Sequence, residues 1–234
     1  MGLLGIEHPA LSQLWGEPPL RETVRAVAYR QLRDAILHGR IPMGARINEL
    51  DLATAWKVSR TPIRDALRRL EAEGLVQAVP GKGVVVPRLS LSDADELYEL
   101  REVLEGRAAM RAAQRATAEF QSRLNTLIKA FGAALKRGDL DAMAAIDLEL
   151  HGGIAATSGS SRLERAIDAV RSQVYQVRLR SFQMKGRGAK SFREMAKLTA
   201  AIRARNGPRA EASMREHIAS LRADLAGLLQ ALEE

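Results

Sequence analysis

Apolar residues recur with a helical period through most of the segment between residues 22 and 73. The run ETVRAVAYRQLRDAILHG predicts an amphipathic helix that stops at Gly39, and RIPMGARI after it predicts a turn. A short helix follows with Asn48 as its N-cap. A third is predicted to begin at Ser59, with Pro62 in its first turn, where the missing N–H costs little. Helix, short helix, tight turn and helix form the order of a helix-turn-helix.

The pattern changes after Gly74 to two β-branched runs. LVQAV and VVVPR flank the glycine-rich PGKG, which predicts a β-hairpin, or wing. Beyond Arg88, segments rich in alanine and leucine predict about six helices and no strand, with Ser92 as the cap of the first. The predicted apolar stripe of that first helix consists of Leu97, Leu100, Leu104 and Ala108.

The predicted fold class is therefore mainly α: an N-terminal winged helix-turn-helix of three helices plus a β-hairpin, followed by an all-α bundle. Three segments are expected along the chain. Residues 1–20 form a flexible arm, because prolines interrupt any helical period there. Residues 21–88 form the winged domain and residues 89–234 the helical domain, with VPRLSLS as the hinge between them.

Charge and composition narrow the function class. Lys and Arg number 36 against 28 Asp and Glu, a formal net charge of +8 that favours an anionic partner such as nucleic acid. The absence of cysteine excludes disulfides, thiolate metal sites and cysteine nucleophiles, and agrees with a cytoplasmic location. No run of 18 consecutive apolar residues occurs, so no membrane partner is expected.

The third predicted helix places arginines four residues apart on one side, opposite an apolar face. Like charges at that spacing weaken an isolated helix by about a few tenths of a kcal/mol each. Taken alone, the charges favour a solvated cationic face. In a helix-turn-helix, however, this helix lies in the major groove, where phosphates compensate the charges. The arginines are Arg60, Arg64 and Arg68, and Lys82 between two wing glycines is expected to approach the DNA backbone as well.

The stretch GARINELDLATAWKVSRTPIRDALRRLEAEGLVQAVPGKGVVV resembles the winged helix-turn-helix of the GntR family of bacterial transcription regulators. The family pattern of Leu-Ala, Val-Ser-Arg-Thr-Pro, Arg-acid-Ala-Leu and Glu-Gly-Leu is met almost position by position. The resemblance implies roles in reading or clamping DNA for several positions. They are Ser59, Arg60, Thr61 and Arg64, with Gly81 at the wing tip and Arg46 on a phosphate.

Polar residues on inward faces of the helical domain indicate a buried site. Arg101 lies within an apolar stripe, where an arginine needs an anionic partner; it either extends to solvent, pairs with Glu105 one turn on, or binds a ligand. Asp147 and His151 are four residues apart on a core-facing edge, and His217 lies on another. Two histidines and a carboxylate form a candidate site for a first-row divalent metal. The alternative is a pair of hydrogen-bonded core histidines.

Residues 90–232 resemble the FCD effector domain of the FadR-like GntR subfamily, through LYELREVLEGRAA, Asp-x-x-x-His, a Ser-Gly turn and MREHI. In that family an Asp and three His bind a metal in a helical barrel. The metal and nearby arginines hold a small carboxylate effector. The resemblance implies that Asp147, His151 and His217 supply three of four ligands for a metal such as Zn, Ni or Mn.

The sequence departs from the family at the fourth ligand, where Met195 stands, and at Ser160 in the turn, where Asn is usual. A thioether is a poor partner for these ions, so Met195 leaves a place for water or effector or marks a site without metal. Arg101 and Arg178, the latter one turn beyond Val174 in a helix predicted to continue to Val177, are expected to hold an organic acid in either case.

The predicted function is a homodimeric, DNA-binding transcription regulator, most often a repressor in this family, which recognises operator DNA and responds to a small carboxylate. It is not expected to be an enzyme. One alternative is a metal-dependent hydrolase built on Asp147, His151 and His217, although no phosphate loop, nucleophile elbow or obvious carboxylate base accompanies them. The other is an architectural DNA-binding protein without an effector.

Overall fold

The computed structural model describes residues 13–15, 22–81, 83–175 and 181–233, with side chains described as far as Leu225. The chain divides into two compact units, Met1–Leu89 and Ser90–Glu234. Helices dominate both units within the described residues, and the small sheet lies in the first. The predicted fold class is confirmed.

The first unit contains three helices and a three-stranded antiparallel sheet. The helices are α1 (Val24–Leu37), α2 (Glu49–Ala55) and α3 (Arg60–Ala72), and the strands are β1 (Arg46–Ile47), β2 (Gln77–Val79) and β3 (Gly83–Val85). The strand order is β1-β3-β2. The prediction that RIPMGARI is only a turn was wrong, because its last two residues form β1. Arg46 pairs with Val85, which adds a third strand to the predicted hairpin.

Side-chain caps start the helices of the first unit at the expected places. The Asn48 side chain accepts a hydrogen bond from Leu50 N at 2.9 Å, as predicted for the cap of α2. Ser59 occupies the N-cap position of α3 but makes no side-chain capping bond. Ser59 is therefore exposed at the N-terminal end of the helix, and its hydroxyl is not used to cap it.

The core of the first unit lies between α1 and α3, and a polar contact closes its edge. Leu32 of α1 and Ile63 and Leu70 of α3 are completely buried. The Tyr29 hydroxyl donates to the Glu73 carboxylate at 2.8 Å. These contacts fix the orientation of α3, so its opposite face is presented outward.

Most of the predicted N-terminal arm lies outside the described residues. Of its three described residues, Leu14 is buried and Trp15 stacks on Trp56 with ring centroids 4.7 Å apart. Trp56 directly follows α2 and precedes the turn to α3. The stacked indoles therefore attach this piece of the chain to the turn of the helix-turn-helix.

The second unit contains six helices in its described residues. They are α4 (Leu91–Arg115), α5 (Ala118–Arg137), α6 (Leu140–Thr157), α7 (Ser161–Gln173), α8 (Arg187–Arg203) and α9 (Gly207–Glu233). Helix α4 packs against α6, α7, α8 and α9, and is the central helix of the unit. None of the helices in the described ranges combines the length and apolar character needed to cross a bilayer.

Three details of the helical prediction were wrong. Ser90, not Ser92, caps α4, and it forms a capping box with Asp93. Leu100 is 51% exposed rather than part of the inward stripe. Helix α7 ends at Gln173, before Val174, while the predicted end at Val177 lies outside the described residues. The inward face of α4 combines alanines, among them the predicted Ala108, with the charged Arg101 and Glu105, which belong to the site described next.

Candidate functional site

Helix α3 has one cationic face and one buried apolar face. The side chains of Arg60 and Arg64 are 55% and 48% exposed, and Arg68 is exposed as well. Ile63 and Leu70 on the opposite side are fully buried. The separation into two faces follows the 3.6-residue period read from the sequence. It places a row of guanidinium groups at the surface of the unit.

Glu49, the first residue of α2, lies against this row. Its Oε2 is 3.3 Å from Nη2 of Arg60 and 3.2 Å from Nη2 of Arg64. Burial raises the pKa of Glu49, but hydrogen bonds and charge from Arg64 and Arg60 outweigh it, so the net pKa lies below its usual value. Sequence reasoning assigned the compensation of the arginines to DNA alone. Within the protein Glu49 already supplies part of it.

The other predicted DNA-contacting residues lie on the same unit. Ser59 and Thr61 are exposed at the N-terminal end of α3. Arg46 is exposed on β1, and a Cβ added at Gly83 would lie 3.7 Å from its Nε, so its side chain runs along the wing. Gly81 turns the wing with a φ of 74°, which favours glycine. Lys82 lies outside the described residues.

The predicted metal ligands of the second unit come together. Asp147 and His151 project from α6 and His217 from α9, and one ligand atom from each lies within 4.8 Å of the other two. Nε2 of His151 is 3.3 Å from Nε2 of His217 and 3.5 Å from Oδ1 of Asp147. All three residues are buried, with at most 2% of their surface exposed.

A carboxylate stands behind each histidine. Nδ1 of His151 is 2.5 Å from Oε2 of Glu105, and Nδ1 of His217 is 2.7 Å from Oε2 of Glu194. Burial lowers the pKa of His217 to about 4 and also lowers that of His151. Burial raises the pKa of Glu194, yet hydrogen bonds from His217 and Ser220 outweigh it and bring it to about 2. Near pH 7 the rings are therefore neutral and the carboxylates ionised.

These protonation states fix the tautomers. An ionised carboxylate only accepts, so each Nδ1 carries the proton and each Nε2 presents a lone pair toward the other ring. Two lone pairs 3.3 Å apart repel one another unless a cation lies between them. Nitrogen ligands on a tetrahedral metal with bonds of about 2.0–2.1 Å are about 3.4 Å apart. The donor set therefore fits a divalent metal, and the carboxylates behind the rings are its expected outer partners.

Arg101 adjoins this cluster and is paired with Glu105, the partner that helical spacing offered. Its Nε donates to Oε1 of Glu105 at 2.7 Å, and the residue is 1% exposed. Burial lowers the pKa of Arg101, but the combined effects of Glu105 and Tyr98 outweigh it, so the net pKa shift is upward. Its guanidinium carbon lies 4.7 Å from the ring centroid of Tyr98, and Nη1 and Nη2 have no acceptor in hydrogen-bonding geometry within the described residues, so these buried donors can bind a further partner.

Arg171 on α7 is a site residue that sequence reasoning missed. It is 6% exposed, its Nη2 donates to the Leu148 carbonyl at 3.3 Å, and its Nε has no partner in the described part of the chain. Burial lowers its pKa, and the charges of Glu105 and Arg101 act on it, so it lies close to both. Its position four residues after Ile167 on the apolar stripe was the available signal.

Three predicted positions of the helical unit remain: Met195, Ser160 and Arg178. Met195 is fully buried on α8, directly after Glu194, whose carboxylate contacts His217. Ser160 caps α7 by accepting from Leu163 N at 3.3 Å, so the Asn expected there is replaced by a residue with the same capping ability. Arg178 lies outside the described residues.

A winged helix-turn-helix with a cationic third helix defines a DNA-binding protein, and comparisons with known proteins give its family. The family model "Bacterial regulatory proteins, gntR family" matches residues 24–86, and the model "FCD domain" matches residues 96–220. The chain belongs to the GntR family and is a DNA-binding transcription regulator with an FCD domain. The predicted family is confirmed.

Similar proteins agree with this assignment. An uncharacterized HTH-type transcriptional regulator from the TAR-I ttuE-ttuC' intergenic region of Agrobacterium vitis is 36% identical over 149 residues, 62% of this chain and 87% of that protein. The HTH-type transcriptional repressor RspR of Escherichia coli K12 is 26% identical over 197 residues, 84% and 86% of the two chains. The solved structure of E. coli McbR/YncC shares the fold, with a TM-score of 0.76, 20% identity and coverage of 88% and 99%.

Proposed function

We propose that this regulator is a cytoplasmic homodimeric repressor whose helical unit binds a divalent metal and a small carboxylate, and that the carboxylate changes its affinity for operator DNA. The observation that carries the proposal is the pair of buried histidine rings whose Nε2 atoms face each other at 3.3 Å. The repressor role is supported by the likeness to RspR, which is named a repressor. The proposal for this chain includes no enzymatic activity.

The metal ligands in this proposal are Asp147, His151 and His217. A bound metal supplies a positive charge that a carboxylate can coordinate. Glu105 and Glu194 hold the two rings in the required tautomer, because each accepts from an Nδ1. Both carboxylates are engaged in this way, so neither is available as the base that a metal-dependent hydrolase needs.

The carboxylate in this proposal is held by arginines as well as by metal. Nη1 and Nη2 of Arg101 and Nε of Arg171 are buried donors without a partner in the described residues. A buried unpaired guanidinium donor is costly, and an organic acid removes that cost through charge-assisted hydrogen bonds. Glu105 contacts both Arg101 and His151, so one connected set of side chains would bind the anion and the metal.

The bound state changes DNA affinity only if the effector favours one arrangement of the two DNA-binding units over another. The cationic face of α3 is the proposed DNA contact, with Arg60, Arg64 and Arg68 on groove phosphates and bases, Arg46 and Gly81 on the wing, and Ser59 and Thr61 at the helix start. Each is exposed, as such a role requires.

The test combines metal analysis with ligand screening. Purified protein is loaded with Zn, Ni or Mn, dialysed and analysed for bound metal, then screened by thermal shift against sugar acids, dicarboxylates, 2-hydroxy acids and amino acids. A true effector at a hundredfold excess over Kd stabilises the protein by about 2.7 kcal/mol. The same compound must change the affinity for operator DNA in a gel-shift titration.

Matched variants separate the parts of the proposal. Arg171→Met is expected to abolish the stabilisation by the carboxylate while leaving DNA binding without effector intact. Arg123→Met, which removes an exposed arginine paired with Glu149, is the control and is expected to respond like the wild type. Operator binding without any response to metal or acids would instead identify an effector-free architectural protein.

A further inference from the structure

Helix α4 has an exposed apolar patch on the side away from the histidine cluster. Leu100 and Val103 are each 51% exposed, whereas Arg101 and Glu105 on the inward side are buried. Two large apolar side chains that adjoin on one helix face form a small patch that a partner helix can cover. An apolar surface of a partner protein would bury this patch and remove it from water.

Charged residues of opposite sign flank the patch. Glu96 precedes Leu100 by four residues and Arg107 follows Val103 by four, so all four side chains share one helix face. Both charged residues are exposed. Neither forms an ion pair within the described ranges, and Arg107 donates only to the Met110 sulfur, at 3.0 Å. The order of these four residues along the face is acid, apolar, apolar, base, and the exposed Glu99, four residues before Val103, adds a second acid at the edge of the face.

This order is symmetric about the midpoint between Arg101 and Glu102. Leu100 and Val103 are equally far from that point, and so are Glu96 and Arg107. In a second copy of the same helix, turned antiparallel by a two-fold axis through the midpoint, Leu100 would meet Val103 and Glu96 would meet Arg107. A parallel copy would instead place like charges together. A self-complementary surface of this kind is what a two-fold dimer requires.

We propose that two copies of this chain associate through antiparallel α4 helices, with Leu100 of one protomer against Val103 of the other and Glu96 against Arg107. The apolar pair forms the centre of the contact and the charged pairs form its rim. This inference rests on the homodimer of the proposed function and names its surface. The same helix carries Arg101 and Glu105 on its opposite side, so a ligand that shifts α4 also shifts the dimer contact.

Analytical ultracentrifugation of the full chain tests the surface. The wild type is expected to sediment as a dimer, and Leu100→Glu or Val103→Glu to raise the dimer Kd by at least about 30-fold, since each places a charge in the centre of the contact. Leu140→Glu is the matched control. Leu140 is 40% exposed on α6, and its substitution is expected to leave the dimer Kd unchanged. Circular dichroism establishes that each variant is folded.

A charge exchange tests the antiparallel register. Glu96→Arg and Arg107→Glu are each expected to weaken the dimer, and the double variant to restore it, because both rim pairs then carry opposite charges again. A wild-type protein that is monomeric at all concentrations would refute the homodimer of the proposed function. A wild-type dimer that responds to the Leu100 and Val103 variants no more than to Leu140→Glu would overturn this surface alone, and failure of the double variant to restore association would overturn the register.

Discussion

Replacing Glu194 by glutamine isolates the charge behind one metal ligand. The Glu194 carboxylate accepts from Nδ1 of His217 at 2.7 Å, from Arg187 Nη2 at 2.5 Å and from the Ser220 hydroxyl at 2.6 Å. A glutamine oxygen can keep accepting from the ring, and the Ser220 hydroxyl can reverse its role. The shape of the site is therefore retained while the negative charge that increases the basicity of Nε2 is lost.

The expected result is a 10- to 100-fold weaker affinity for Zn or Ni, which corresponds to about 1.4–2.7 kcal/mol. The magnitude is that of an outer hydrogen-bond partner, because His217 itself remains. Asp147→Asn removes a ligand charge directly and is expected to cost more. The affinity is measured by competition with a chromophoric chelator at pH 7.5, with absorbance reporting the metal that the protein withholds.

Glu149→Gln is the matched control, since it makes the same chemical change on α6 at a residue that pairs with Arg123 and is 44% exposed. It is expected to bind metal like the wild type. Equal metal affinities of the wild type, Glu194→Gln and Glu149→Gln, each shown to be folded, would refute the role of Glu194 in tuning the ligand. A wild type that retains no Zn, Ni or Mn after loading would refute the metal centre while leaving DNA binding untouched.

Three further outcomes are expected. Arg64→Ala should weaken operator binding by about 1–3 kcal/mol and reduce its salt dependence by about one counterion, and unchanged gel-shift titrations would exclude a contact. Glu49→Gln should strengthen DNA binding by about 2- to 30-fold, because two ion pairs worth about 0.2–1 kcal/mol each no longer compete with phosphate; weaker binding would contradict this. For metal-free protein, the pKa of His217 is about 4 when folded against an ordinary 6.5. The unfolded chain therefore takes up the proton first, and unfolding free energy should fall by about 3 kcal/mol between pH 6.5 and 4. His217→Gln should reduce this dependence in urea titrations, with the remaining part due to His151, whose pKa burial also lowers, and an unchanged dependence would exclude His217 as its source.

The helix-turn-helix was predictable because its signals are local. The apolar period of α3, the Asn48 cap and the glycine turn of the wing all lie within short stretches of chain, and each has one favoured backbone conformation. The exposure of Arg60 and Arg64 follows from the same period. The third strand was not predictable, because β1 has only two residues and exists through its pairing with β3.

The site of the helical unit was predictable only in part. Inward positions for Asp147, His151 and His217 follow from helical spacing, and resemblance supplied their chemistry. The carboxylates behind the rings did not follow, because Glu105 is 46 residues from His151 and Glu194 is 23 from His217. Helical spacing singled out Glu105 only as a possible partner of Arg101, and it did not distinguish Glu194 from the many surface carboxylates of the chain.

The amino-acid order by itself determined which residues form helices and, for most helices, which face is apolar, because both depend on neighbours within a few residues. Tertiary packing decided which helix covers each face, and so brought Arg171 beside Glu105. It left Leu100 exposed on a helix whose opposite side is buried, and it placed Glu49 against the arginines of α3. A periodic pattern specifies only the direction in which a side chain points from its own helix axis. A contact between two side chains depends on the relative positions of two helices, which the pattern does not contain.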